Sequence, residues 1–256
     1  MTVAQLRVIV DDEISPDESL LTHLERDKRL GVRRLVSRNQ RRRQAKKSQR
    51  QRASHLRALD EGYWSNKIEK LVGVDEVGRG CIAGPVVAAA VALPPGFELD
   101  ELDDSKNLNP LQRKYCSEVI HECALAIGIG YVNADQIDEL NILQAALLAM
   151  RKAVRKLGLA PEKILIDGMD LPETGFEEEA VVHGDSRSIS IAAASVVAKV
   201  HRDTVMAQFA TKYPQYGFEE NKGYGTAAHV EALRKNGPTI LHRRSFAPVS
   251  TWQSTG

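Results

Sequence analysis

The chain has 256 residues, of which 43% are hydrophobic, so it can hold one sizeable core. No apolar run approaches the roughly 18 residues that cross a bilayer, and the sequence does not open with a basic segment followed by an apolar one. We therefore expect a cytoplasmic protein without a membrane segment. Three cysteines without a Cys-x-x-Cys spacing predict free thiols and argue against a disulfide framework or a zinc site.

The net charge is +1, but it is distributed unevenly. Residues 26–57 hold 14 Lys and Arg and one acid, Asp27, which gives this stretch +13 and leaves −12 for the rest. That division is typical of an acidic folded body with a basic arm, and basic arms commonly contact nucleic-acid phosphates. We predict a basic helical or partly disordered extension over 1–65 and a folded domain over 66–256. An arm that only keeps the protein soluble is the alternative.

Apolar periodicity and turn residues predict the elements in chain order. Two short helices are expected within 1–25, the second preceded by a cap at Ser15, and then a solvated helix or a disordered linker over 33–57. The folded domain is predicted to contain two strands within 71–93, a helix over 111–122, a strand over 124–132, one long helix over 134–157, a strand over 163–167, and helices over 189–199 and 227–235. Strand, helix and strand in succession favour a layered α/β sheet with right-handed crossovers.

Acidic residues lie where predicted strands end. Asp75 and Glu76 follow one buried strand and Asp167 follows another, so they converge if the two strands are neighbours. Asp185 precedes a helix of small residues whose close packing on the sheet would hold it nearby, although helix capping accounts for it equally well. For Asp75 and Glu76, the alternative is that both are turn acids facing water. If all four converge, they form an all-oxygen site suited to Mg²⁺ or Mn²⁺.

A tyrosine between two glycines, Tyr224, is presented on a tight turn rather than in a core stripe. Stacking on a sugar or a base is one use of such a residue, and the neighbouring Lys222 suits a phosphate. An ordinary turn tyrosine is the alternative.

In combination these residues resemble the ribonuclease HII family over about 70–249. The motifs that carry the resemblance stand in the family's order: Asp75-Glu76-Val77-Gly78-Arg79-Gly80 with Ala83-Gly84-Pro85, Asp104-Ser105-Lys106, Asn141-Ile142, Ile166-Asp167-Gly168, Gly184-Asp185, Ala192-Ala193-Ala194-Ser195, and Lys222-Gly223-Tyr224-Gly225-Thr226. The sequence departs from the pattern at Cys81, where the family usually has proline. The basic extension is also absent from many members.

The resemblance implies a ribonuclease H-like fold of three layers, with a mixed central sheet flanked by helices and extra C-terminal helices. It further implies an endonuclease that cleaves RNA in RNA–DNA hybrids and at single ribonucleotides embedded in duplex DNA. Two divalent ions, Mg²⁺ or Mn²⁺, would assist hydrolysis and leave 5′-phosphate and 3′-hydroxyl ends.

The same resemblance assigns roles to individual residues. The metal-binding and catalytic carboxylates would be Asp75, Glu76, Asp167 and Asp185. Substrate-binding residues would be Gly78, Arg79 and Gly80, whose backbone reads the ribose 2′-hydroxyl, Tyr224, which stacks against a sugar, and Lys106 and Lys222.

Two other classes of protein are weighed against this one. A junction resolvase or integrase would share the acids but not the two glycine-flanked turns, and would cut DNA that lacks ribonucleotides. A non-catalytic nucleic-acid-binding protein would need no metal and would tolerate the change Asp75→Asn. A binder of polyanions has little reason to cluster carboxylates at its binding face, so we expect an enzyme, acting as a monomer.

Overall fold

The computed structural model describes residues 1–11, 18–171 and 173–252. The chain divides into two compact units, Met1–Arg52 and Ala53–Gly256. The domain boundary predicted after residue 65 stays a prediction. Within the described ranges, no helix is both long enough and apolar enough to span a membrane.

The smaller unit is helical. It contains α1 (Val3–Asp11), α2 (Glu18–Glu25) and the first part of α3 (Leu30–Ser65). Its buried apolar side chains come from all three helices and are Leu6, Leu21, Leu24, Val32 and Val36. The cap predicted at Ser15 lies outside the described residues. Between residues 37 and 52, α3 consists mainly of Arg, Lys and Gln, and buried apolar side chains return at Ala53 and Leu56.

The larger unit is built on five strands. Its elements are β1 (Leu71–Val77), β2 (Val86–Ala92), α4 (Pro110–Cys123), β3 (Ala126–Val132), α5 (Ala134–Leu140), α6 (Ile142–Arg155), β4 (Lys163–Asp167), β5 (Glu178–Val181), α7 (Ile189–Lys212), α8 (Phe218–Asn221) and α9 (Ala227–Asn236). The strand order is β3-β2-β1-β4-β5, with β1 antiparallel to β2, β2 antiparallel to β3, and parallel pairs β1/β4 and β4/β5.

Helices cover both faces of the sheet. Along β2 the even residues, such as Ala88 and Ala90, pack with α5 and α6, while the odd residues, such as Val87 and Ala89, pack with α4 and α7. This alternation is the two-residue period of a strand that is buried on both faces. The predicted α/β class with a mixed central sheet between helical layers is confirmed, and α8 and α9 follow as C-terminal helices.

Two details differ from the sequence prediction. The single helix predicted over 134–157 is wrong, because Asn141 has a positive φ of 69° and breaks it into α5 and α6. The Asn141 side chain accepts the Gln144 N–H at 3.1 Å and so begins the second helix. The helix predicted over 189–199 continues to Lys212.

Candidate active site

The ends of two parallel strands bring two of the acids together. The last register pair between β1 and β4 is Val74 with Ile166, so Asp75 and Asp167 are the next residue on each strand. Neighbouring strands lie about 4.8 Å apart, which makes the two acids neighbours across the sheet. Asp75 is only 6% exposed, whereas Asp167 is partly exposed.

The start of α7 is held unusually close to β1. A Cβ on Gly73 would lie 2.1 Å from the carbonyl carbon of Ser190, so only glycine permits this approach. A buried acid on α3, Asp60, accepts the backbone N–H groups of Ile189 and Ser190, each at 3.1 Å. Asp60 therefore anchors the helix that follows Asp185. Sequence reasoning missed it because it lies in the extension predicted over 1–65, outside the predicted folded domain.

Asp185 lies in a short 3₁₀ turn, Gly184–Ser186, directly before α7. The N-cap of α7 is Ser188, whose hydroxyl accepts the Ile191 N–H at 3.2 Å, so capping does not account for the acid. The Gly184 N–H donates to Asp167 Oδ1 at 2.7 Å, which ties this turn to the end of β4. Asp185 is 6% exposed.

The acids act on one another electrostatically. Burial raises the pKa of Asp75 well above its ordinary value, and the charges of Glu76 and Asp167 raise it further. A hydrogen bond from Ser195 opposes this increase. Burial also raises the pKa of Glu76, although Arg79 opposes the shift. The pKa of Asp167 is raised by burial and then by Asp185. Such mutual repulsion between partly desolvated carboxylates favours binding of a cation.

Protein donors engage every one of these carboxylates. Asp75 Oδ1 accepts the Glu76 N–H at 2.7 Å, and Arg79 Nη1 lies 3.1 Å from Glu76 Oε1. Lys106 Nζ donates to Asp185 Oδ2 at 3.0 Å. In this conformation, no three His, Cys, Asp or Glu side chains of the described ranges are close enough together to hold one ion.

The residues nevertheless suit a divalent ion. Glu76 Oε2 is buried and has no hydrogen-bond partner, and a cation would satisfy this acceptor. The surrounding donor set consists of carboxylate oxygens alone, which is the set that Mg²⁺ and Mn²⁺ prefer.

The two glycine-flanked turns lie side by side. The N–H groups of Ile82 and Ala83 donate to the Gly223 carbonyl at 2.9 and 3.2 Å. Gly223 has a φ of +85°, and a Cβ there would lie 2.2 Å from the Ala83 oxygen, so glycine is required. Tyr224, the next residue, is 42% exposed. Because Arg79 bonds to Glu76, the first of these turns is also linked to the acids.

Comparison with known proteins settles the family. A ribonuclease HII family model matches residues 72–249, and a ribonuclease HII N-terminal domain model matches 2–64. The chain belongs to the ribonuclease HII family. The curated ribonuclease HII of Lactobacillus gasseri is 44% identical over 99% of this chain and 100% of that protein. Ribonuclease HII of Geobacillus thermodenitrificans is 44% identical over 97% of this chain and 95% of its own length.

A solved structure agrees on the fold. The ribonuclease H2 of Pyrococcus horikoshii OT3 superposes with a TM-score of 0.62 at 24% identity, covering 71% of this chain and 95% of that one. The predicted ribonuclease H-like fold is thus confirmed. As a member of the ribonuclease HII family the protein is a ribonuclease H enzyme, which decides against the resolvase and the non-catalytic alternatives.

Two buried histidines support the Gly-Tyr-Gly turn of this ribonuclease HII family member. His229 Nδ1 donates to the Tyr224 carbonyl at 2.8 Å, and the Thr239 N–H donates to His242 Nδ1 at 3.0 Å. The two Nε2 atoms are 3.1 Å apart, so neutral His242 donates and neutral His229 accepts. Burial lowers the pKa of both rings. Electrostatic repulsion between the two rings on protonation helps to lower the pKa of His242 to about 4. Sequence reasoning missed both residues.

Proposed function

We propose that this protein is an endoribonuclease that cleaves the RNA strand of RNA–DNA hybrids and cuts at single ribonucleotides in duplex DNA. Hydrolysis would leave a 5′-phosphate and a 3′-hydroxyl. Membership in the ribonuclease HII family supports the reaction class. The observation that carries the proposal is the set of buried or partly buried, mutually repelling acids at the ends of β1 and β4, next to two exposed turns.

Four carboxylates would hold the ions: Asp75, Glu76, Asp167 and Asp185. When bound, two Mg²⁺ or Mn²⁺ ions would activate a water for attack on phosphorus and stabilise the charge on the leaving 3′ oxygen. The chain itself holds the carboxylates in place. Ser195 orients Asp75 and is hydrogen-bonded to Ser105 at 2.9 Å. The Gly184 N–H orients Asp167.

Two cations would link the acids to the substrate. Lys106 pairs with Asp185, but its side chain is 78% exposed and can exchange this carboxylate for a phosphate. Arg79 pairs with Glu76 and has a side chain that is 42% exposed. Both limit the repulsion between acids and polyanion before the ions bind.

The turns would supply specificity for RNA. Backbone groups of Gly78, Arg79 and Gly80 would read the ribose 2′-hydroxyl, which is the group that distinguishes RNA from DNA. Tyr224 would stack on a sugar at the junction, and Lys222 would contact a phosphate.

The basic part of α3 would contact nucleic-acid phosphates. Arg41, Arg42, Lys46 and Lys47 are exposed, Arg43 is half-buried, and no acid interrupts the stretch. Neutralising phosphates in this way makes binding depend on salt. We further propose that the protein works as a monomer in the cytoplasm.

The test is cleavage of a labelled DNA duplex that contains one ribonucleotide, with Mg²⁺, Mn²⁺ or a chelator. We expect a metal-dependent nick on the 5′ side of the ribonucleotide, lost in Asp75→Asn and kept in Asp135→Asn, a change of an exposed acid on α5. Cleavage of a duplex without ribonucleotides, or cleavage that persists in chelator, would overturn the proposal.

A further inference from the structure

Two arginines with no assigned role are completely buried beside the substrate-reading turns. Arg202 lies on α7, and Arg243 follows α9; both are 0% exposed. Among the described residues, no carboxylate forms an ion pair with either guanidinium. A buried charge is costly unless its donors are hydrogen-bonded, so the groups that these donors reach define what the arginines do.

Arg202 joins the two turns. Its Nη1 donates to the Lys222 carbonyl at 2.8 Å, at the start of the Gly-Tyr-Gly turn. Its Nη2 and Nε donate to the carbonyls of Ala83 and Pro85, at 3.2 and 2.9 Å, in the loop that follows Gly-Arg-Gly. One rigid guanidinium thus sets the separation between the two loops.

Arg243 holds the Gly-Arg-Gly turn itself. Its Nη2 donates to the Gly78 carbonyl at 2.7 Å and its Nη1 to the Arg79 carbonyl at 2.9 Å. Nε and Nη2 both donate to the Gly84 carbonyl, at 3.1 and 2.9 Å. Within the described ranges, every hydrogen bond from the two guanidinium groups goes to a backbone oxygen, and these oxygens belong to the two turns and their flanks.

This arrangement fixes the direction of the remaining backbone groups. In a trans peptide the N–H points away from the preceding carbonyl oxygen. Because the carbonyls of Gly78 and Arg79 point at Arg243, the N–H groups of Arg79 and Gly80 point to the opposite, exposed side. Neither N–H group donates to any acceptor in the described ranges. They are two adjacent, oriented donors on the surface of the turn.

The space for the guanidinium depends on glycine. Gly78 has a φ of +92°, and a Cβ there would lie 2.3 Å from Arg202 Nε. A side chain at position 78 would therefore push the Arg202 guanidinium out of its place between the loops. Lysine at 202 or 243 has a single nitrogen, which cannot reproduce a planar fork aimed at separate carbonyls.

We propose that Arg202 and Arg243 are positioning residues that set the spacing of the two turns and aim the Arg79 and Gly80 N–H groups at the ribose 2′-hydroxyl. The inference rests on the proposed function, because it assumes that the turns read a ribonucleotide. Neither arginine touches the substrate.

The experiment compares two affinities of each full-length protein in chelator, where no cleavage occurs. One duplex carries a single ribonucleotide, and the other is all DNA with the same sequence. We expect the affinity ratio to fall about tenfold toward one in Arg202→Lys and Arg243→Lys, which corresponds to weakened 2′-hydroxyl recognition. It should be unchanged in Arg234→Lys, a change of an exposed arginine on α9.

The ratio separates positioning from folding. Loss of folded protein weakens binding of both duplexes equally, so an unchanged ratio in the two lysine variants would overturn the inference. A wild-type protein that does not distinguish the duplexes would instead overturn the proposed function.

If the variants do not fold, amide hydrogen exchange of the unaltered protein decides the matter. The Arg79 and Gly80 amides should be protected by the ribonucleotide duplex and not by its all-DNA counterpart. Equal protection by the two duplexes would contradict the inference.

Discussion

The basic part of α3 and the acidic ends of β1 and β4 use charge in opposite ways. On α3 most of the cations are exposed, and they outnumber the acids near them in sequence, so one cation can contact a phosphate in place of its neighbour. At the strand ends the acids are few and are buried or partly buried, and a donor of the protein holds each of them. Exposed charges contribute small, additive increments, whereas buried charges contribute large and individual effects. The predictions below test that difference, beginning with the largest effect.

Asp75→Asn should separate activity from stability. If Asp75 holds a metal as we propose, its loss is expected to lower single-turnover cleavage by on the order of 10³-fold. Unfolding in chelator should occur at the same or a higher temperature, because repulsion by Glu76 and Asp167 disappears. A protein that loses activity and thermal stability together would show that Asp75 is structural.

Gly73→Ala tests how closely α7 must approach the sheet. The added Cβ would meet the Ser190 backbone at 2.1 Å, so we expect a loss of about 3 kcal/mol in unfolding free energy by urea titration. Gly62→Ala is the matched control on α3, since nothing lies within 4 Å of its Cβ and a helical alanine is favoured by about 0.5–1 kcal/mol. Equal effects of both changes would contradict the packing account.

The histidine pair predicts a loss of stability in acid. A folded pKa of about 4 for His242 lies below the ordinary value of 6.5, so this contribution is complete above about pH 6.5 and is lost as the pH falls toward 4. After allowance for solvent screening we expect about 1–2 kcal/mol.

His242→Gln should remove that contribution, measured as the difference in unfolding free energy between pH 7.5 and pH 5 in urea titrations. His55→Gln, at an exposed histidine, should leave the contribution unchanged. The raised pKa values of Asp75 and Glu76 increase the stability of the folded state as the pH falls. The effect of His242 is therefore measured as the difference between the variant and the wild-type protein at each pH. The prediction fails if both glutamine variants follow the wild-type pH dependence.

Lys46→Gln with Lys47→Gln should give the smallest effect. Each lost phosphate contact should reduce the slope of log affinity against log salt by about 0.9, while cleavage of saturating substrate is unchanged. Glutamine at the exposed Lys114 and at Lys156 serves as the charge-matched control. A salt slope identical to that of the wild type would mean that α3 makes no phosphate contact there.

The sequence predicted the parts of this molecule whose signal is local. Apolar runs bounded by glycine predicted β1, β2 and β4, and the acids at their ends followed from the same pattern. β5 was missed because Glu178 and Glu179 give this short edge strand a polar appearance. The helix break at Asn141 was missed because the backbone conformation of this residue depends on the cap it forms.

Long-range partners explain the rest. Arg243 binds the Gly78 carbonyl, 165 positions earlier, and Asp60 binds a helix that begins 129 positions later. Because these partners are backbone groups, they leave no recognisable residue in the sequence. A buried arginine or aspartate of this kind is identified only after the fold is known.

Binding of Mn²⁺, followed by calorimetry or paramagnetic resonance, tests the central claim most directly, because it asks whether the four acids hold a metal at all. We predict saturable binding to the wild-type protein that is strongly weakened in Asp167→Asn and unchanged in Asp135→Asn. Equal Mn²⁺ affinity in all three proteins would contradict the assignment of these acids as the metal site.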